Sequence, residues 1–141
     1  MKKKPTKYGI IGLIGVAVLL SSVMSCNLSL GVGFENIDIQ GAYTLIQENK
    51  GRSDFIILDV RTPAEYADGH IENSLNLDYY ANDFEAQLDR LDKNKTYLVY
   101  CRSANRSAHV INLMQKLGFK SAYNMLGGIN EWNSKGYPTV S

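Results

Sequence analysis

Apolar and polar positions follow two periods along most of this chain, and a third pattern marks its start. From Tyr8 to Ser25 eighteen successive residues carry no charge, and Tyr8 to Leu20 is an apolar run. Beyond a short glycine-bearing stretch, Ile37 and Ile39 predict a brief strand. Residues 40–49 predict a helix, with Ala42, Leu45 and Ile46 on one face and Gly51 past its end. Residues 55–60 form an apolar run ending in polar residues, the mark of a strand buried on both faces. Thr62-Pro63-Ala64-Glu65 opens a short helix, with Thr62 as N-cap, Pro63 in the first position and Glu65 completing a capping box. Residues 74–77 predict another brief strand. Asn82 is placed to cap a helix carrying Phe84, Leu88 and Leu91. Residues 96–100 form a second buried strand that runs directly into Cys101. From about Asn105 a helix presents Val110, Leu113, Met114 and Leu117 as one stripe and stops at Gly118. Residues 121–125 predict a last strand, followed by Gly127-Gly128 and a short helix around Glu131 and Trp132.

Strands that alternate with helices imply right-handed crossovers and a mostly parallel sheet covered on both faces, an α/β architecture. In such sheets ligands bind outside the carboxyl ends of the strands. Cys101 stands at that end of a strand and at the N-terminus of a helix. The position favours chemistry on anions.

Composition changes this picture little. The chain has 141 residues, 45% hydrophobic and 21% charged, which suits one globular domain. Charge says more. Lys2, Lys3, Lys4 and Lys7 precede the uncharged run, and from Cys26 onward 11 basic residues face 14 acidic ones. No long basic face is expected, so nucleic acid is not an expected partner. A basic start, an apolar stretch and the small residues before Cys26 describe an export signal. Val23 and Ser25 before Cys26 resemble the lipobox of bacterial lipoproteins, which makes Cys26 a candidate lipidation site. An uncleaved membrane anchor and a cleaved soluble form are the alternatives, since eighteen residues are at the short end of what crosses a bilayer. Residues 1–25 are therefore read as signal peptide or membrane anchor, residues 26–35 as a tether, and residues 36–141 as the domain. Export and membrane tethering are the expected location.

The two cysteines are Cys26 and Cys101. With Cys26 lipidated, Cys101 is the one thiol of the mature chain and has no intramolecular disulfide partner. A thiol becomes a nucleophile only as thiolate. The helix start after Cys101 offers unsatisfied N–H groups and about half a positive charge. A loop bending toward it forms a nest for an anion. Arg102 and Arg106 add charges that do not titrate away. A structural cysteine would have apolar neighbours on both sides, whereas Arg102, Ser103, Ala104, Asn105 and Arg106 follow this one. Asp59, Arg61 and Glu65 read as scaffold: Arg61 and Glu65 are suited to an ion pair, and Asp59 to bonding backbone groups. His70 and His109 are not spaced as metal ligands, and no phosphate loop or dinucleotide fingerprint is present.

The segment from Val99 to Ser107 resembles the active-site loop of the rhodanese family. Leu58 to Tyr66 and Gly69 to Asn76 resemble that family's first signature segment. Gly127-Gly128-Ile129, Trp132 and Gly136-Tyr137-Pro138 are similar to its C-terminal one. The resemblance implies a three-layer fold: a five-stranded parallel sheet flanked by helices, with the active-site loop between a central strand and a helix N-terminus. It implies a sulfurtransferase in which Cys101 takes a sulfane sulfur from a small anionic donor such as thiosulfate. Cys101 then holds the sulfur as a persulfide and passes it to cyanide, a thiol or a partner protein. By the same resemblance, residues 102–106 cradle the persulfide, Arg102 meets the donor, and Arg106 has a more structural role. Asp59, Arg61, Glu65 and His70 support the loop. No cofactor is called for, and a monomer is expected.

The family often has Gly where this chain has Ala104. If that position needs a left-handed backbone, Ala costs about 1 kcal/mol relative to Gly. Two rival readings remain. Cysteine phosphatases separate Cys and Arg by five residues to wrap a phosphate, whereas four separate Cys101 from Arg106. The smaller loop suits a sulfur atom better than a phosphate or arsenate. A non-catalytic binding module is the other alternative.

Overall fold

Strand β4 (Thr96–Tyr100) lies at the centre of the sheet with all five of its residues buried, as its unbroken apolar run requires. The computed structural model describes residues 33–141. Around β4, the strands β1 (Gly33–Ile37), β2 (Phe55–Asp59), β3 (Leu75–Asn76) and β5 (Ser121–Met125) complete a sheet of order β1-β5-β4-β2-β3. Every pairing is parallel. The helices are α1 (Ile39–Glu48), α2 (Pro63–Asp68), α3 (Phe84–Asp89), α4 (Asn105–Lys116) and α5 (Gly128–Ser134). The expected five-stranded parallel sheet with flanking helices is what the chain forms.

Alternation along β4 divides the core into two layers. Tyr97 and Val99 pack with Val110 and Met114 of α4 and with Phe84 and Leu88 of α3. Leu98 and Tyr100 pack on the other face, with Ile39, Ala42 and Leu45 of α1 and Ile129 and Trp132 of α5. Continuing the alternation by one residue sends the Cys101 side chain to the α4 layer, where it joins that cluster. A strand of period two thus aims the thiol at the helix that follows it.

Three local expectations need correction. The first strand is Gly33–Ile37, earlier than Ile37 and Ile39 suggest, so Gly33, Phe34 and Glu35 pair with Ser121, Ala122 and Tyr123 rather than serving as tether. Ile39 instead opens α1, because the Asp38 carboxylate accepts the Gly41 N–H at 2.7 Å and caps the helix there. Asn82 caps nothing: α3 begins at Phe84 after Asp83, whose carboxylate accepts from Gln87 Nε2 at 2.6 Å and makes no cap bond. Leu91 lies past the end of α3, yet still packs on the α4 layer. The Thr62 capping box is present as expected. No helix among the described residues is long and apolar enough to cross a membrane. The anchor, Cys26 and most of the tether lie outside the described residues.

Candidate active site

Cys101 leaves the carboxyl end of β4 and is almost fully buried. Two groups of Ser107, in the first turn of α4, approach its sulfur: the hydroxyl at 3.4 Å and the backbone N–H at 3.4 Å. Burial pushes the Cys101 thiol up. Hydrogen bonds from the Ser107 hydroxyl and from the N–H groups of Ser107, Ser103 and Ala104 outweigh it, and the net shift is downward. The loop is therefore a cradle of donors closed around one sulfur atom, the arrangement expected of an anion nest at a helix N-terminus. Ser107 closes the loop segment quoted in the sequence but was given no role there. A hydroxyl six positions after the cysteine, in the first turn of the predicted helix, is the signal that could have found it.

The backbone turns sharply to make this cradle. Ala104 has φ 76° and ψ −2°, the left-handed region that favours glycine. The conditional expectation for Ala104 is met: the loop does require that conformation, and alanine supplies it under strain. The side chains of Arg102, Ser103 and Asn105 are exposed around the loop.

Arg106 points away from the cradle to an ion pair. Its guanidinium donates to both oxygens of Glu65, each at 2.8 Å, and stacks over the Tyr80 ring 5.5 Å from the centroid. It nonetheless attracts the Cys101 thiolate electrostatically. Glu65 Oε2 also accepts from the Thr62 N–H at 3.0 Å, so one carboxylate caps α2 and anchors the start of α4. The Arg106 guanidinium, first among its partners, holds the Glu65 carboxyl down at about 2, below its ordinary 4.5.

The expected ion pair between Arg61 and Glu65 does not form. Arg61 precedes the N-cap of α2 and so never shares a helical face with Glu65. It pairs with Asp59 instead at 2.7 Å, both side chains being nearly or fully buried. Asp59 also accepts the Arg61 backbone N–H at 2.9 Å, a backbone role of the kind expected of it. Arg61 further donates to the Gly69 carbonyl at 2.7 Å and lies over the Tyr100 ring. His70 is stacked on Tyr66, and its Nδ1 lies 2.9 Å from the Tyr66 carbonyl oxygen. None of these contacts touches the Cys101 sulfur. His109 is exposed on α4, with Nδ1 3.2 Å from the Tyr79 hydroxyl.

Gly128 lies against the back of the Cys101 loop. The Ile129 N–H donates to the Cys101 carbonyl at 2.9 Å, and the Asn130 N–H to the Arg102 carbonyl at 3.2 Å. The start of α5 thereby holds the back of the loop. A Cβ on Gly128 would stand 2.6 Å from the Cys101 carbonyl oxygen and closer still to that of Arg102, so only glycine allows the approach. A depression of about 270 Å³ beside the loop is lined by Arg102, Arg61, Glu65, Gly69 and Asn130. A larger cavity of about 430 Å³ lies between α1 and residues 71–73, and neither Cys101 nor any residue of its loop lines it.

The rhodanese-like domain family matches residues 42–135. A sulfurtransferase of Allochromatium vinosum is 31% identical over 98 residues, covering 70% of this chain and 90% of its own. Thiosulfate sulfurtransferase GlpE of Coxiella burnetii is 33% identical over 88 residues, 62% of this chain and 79% of its own. The crystal structure of a rhodanese-related protein from Thermoplasma volcanium superposes with a TM-score of 0.64 at 31% identity, covering 75% of this chain and 97% of that one. A rhodanese-like domain protein from Staphylococcus aureus superposes with a TM-score of 0.60 at 27% identity, covering 76% and 99%. The family match over most of the described residues, with relatives above 30% identity, shows that this chain belongs to the rhodanese-like domain family.

Proposed function

We propose that the protein is a sulfurtransferase that carries sulfur as a Cys101 persulfide between a small anionic donor, with thiosulfate as the type, and a thiophilic acceptor. The observation that carries this reading is the set of donors converging on one buried sulfur, with the thiol held below its usual range. The names of the sulfurtransferase relatives point the same way.

In the first half-reaction the Cys101 thiolate attacks the sulfane sulfur of thiosulfate. A sulfur–sulfur bond forms to Cys101 as the one to sulfite breaks, and sulfite departs with the electron pair. Arg102 stands exposed at the edge of the depression to receive the dianion. The terminal sulfur of the persulfide takes the negative charge, and the N–H groups of the loop stabilise it. In the second half-reaction cyanide or a thiolate attacks that sulfur and the Cys101 thiolate leaves. No external oxidant or reductant enters the cycle. A preformed low-pKa thiolate serves both halves, as nucleophile first and leaving group second.

The protein is proposed to act outside the cytoplasm, tethered to a membrane through Cys26 or an uncleaved anchor. That reading rests on the basic, apolar and small-residue pattern of residues 1–26.

Steady-state assay with thiosulfate and cyanide tests the reaction. Thiocyanate should form with the native protein and not with Cys101→Ser. Hydrolysis of an aryl phosphate in place of thiocyanate formation would replace this reading with a phosphatase.

A further inference from the structure

The chain enters the described fold at Gly33, the amino end of edge strand β1, and the surroundings of that point are basic. Three loops lead into the neighbouring strands at the same pole: residues 49–54 before β2, 90–95 before β4 and 117–120 before β5. With the helix-end residues Glu48, Asp89 and Lys116 beside them, and Glu72 of the loop before β3, which lines a cavity with Lys50 and Arg52, they hold seven basic residues and five acidic ones, while the rest of residues 33–141 hold four basic and nine acidic. Net positive charge thus lies at this end of the parallel sheet and net negative charge on the rest, which the overall balance of 11 against 14 conceals.

Hydrogen bonds tie the basic loops to the entry point. The Gly33 N–H donates to the Lys120 carbonyl at 3.1 Å, and the Lys120 N–H donates to the Lys93 carbonyl at 3.0 Å. Thr96, next to Lys95, donates its N–H to the Asp54 carbonyl at 2.9 Å. Internal pairing neutralises part of this charge: Arg52 is bound to Asp54 and Lys93 to Asp89. Among the described residues, Lys50, Arg90, Lys95, Lys116 and Lys120 are in no ion pair.

We infer that this basic pole is a docking face for an anionic phospholipid surface, so that the domain stands on the membrane with Cys101 turned away from it. The inference rests on the proposed tethering, and it adds an orientation that tethering alone does not supply. Seven peptide steps separate Cys26 from Gly33. Fully extended they reach about 25 Å, which holds the basic pole near the headgroups. Lysines near an anionic leaflet gain about fivefold in partition each, and a single lipid chain needs such a second signal for stable attachment. Parallel strands put the loops that precede them and the loop that follows β4 at opposite poles. Five residues of β4 set Cys101 roughly 17 Å farther out, open to soluble donors and to protein acceptors.

The test uses the full chain bound to phosphatidylglycerol or to phosphatidylcholine vesicles, with amine acylation of each lysine followed by mass spectrometry. Lys95, Lys116 and Lys120 should be acylated about fivefold or more slowly on the anionic vesicles than on the zwitterionic ones. Molar salt should abolish that difference, and Lys135 should react equally on both. A Lys95→Gln, Lys116→Gln, Lys120→Gln chain should keep its thiocyanate-forming activity, and its Arg90 should lose protection from arginine-directed reagents. Equal acylation on the two lipids, or protection of Lys135 to the same degree, overturns the inference. Flotation separates the two readings: failure to float with zwitterionic vesicles counts against the anchor, while salt-sensitive flotation with anionic ones alone still supports the face. Flotation with neither overturns both.

Discussion

At the residue scale, Ser107 does most to set the character of Cys101. It supplies a side-chain and a backbone donor to the one sulfur, and burial works against both. Ser107→Ala is expected to move the thiol pKa upward, read from the pH dependence of iodoacetamide alkylation; an unmoved profile would assign the shift to the backbone alone. Ala104 is the counterpart, a residue whose side chain contributes strain. A left-handed alanine costs about 1–2 kcal/mol, offset in part because glycine has about 0.4–1 kcal/mol more unfolded-state entropy. Ala104→Gly should therefore stabilise the domain by about 0.5–1 kcal/mol in urea denaturation. Cys101 was legible from its neighbours, because an apolar strand behind and polar residues ahead describe a thiol at a strand end. The partners of Arg61 were not. Spacing suggested Glu65, but an i,i+4 pair needs both residues on a helix, and Arg61 lies before the cap.

At the element scale, two helix starts meet at the loop. Helix α4 brings Ser107 to the sulfur, and α5 bonds the loop from behind through Ile129 and Asn130. Gly128→Ala would force a methyl group into the Cys101 and Arg102 carbonyls. With the left-handed backbone at that position, a loss of about 2–4 kcal/mol is expected in denaturation. The link from α2 to α4 runs through Glu65 and Arg106, which makes it sensitive to acid. Because the folded carboxyl lies at about 2 and the ordinary value is 4.5, its contribution is complete above about pH 4.5. It is lost as pH falls through the folded value. Glu65→Gln should flatten the dependence of stability on pH between those limits, measured by thermal unfolding. An unchanged acid limb would show that the pair holds geometry without contributing stability. The capping box of α2 was readable because its partners are three residues apart. The reach of the same carboxylate to a residue forty-one positions away was not, since nothing local encodes it.

At the scale of the whole molecule, the order of strands and helices was written in the change between periods two and 3.6, and the parallel sheet follows from it. Its strand order and the closeness of Gly128 to the loop needed the fold, because both depend on which elements pack side by side. The first strand was placed late because Gly33 and Phe34 resemble a linker, and only pairing with β5 makes them a strand. Parallel direction then has a consequence for chemistry: every strand points toward the end where Cys101 sits, away from the point at which the chain enters. In the function proposed, this end of the molecule holds a sulfur atom covalently and gives it up again. Intact mass spectrometry of the protein after thiosulfate treatment measures that step directly. A gain of one sulfur atom is expected, absent in Cys101→Ser and removed by cyanide with release of thiocyanate. An unchanged mass in the native protein, or a sulfur gain that survives Cys101→Ser, would contradict it.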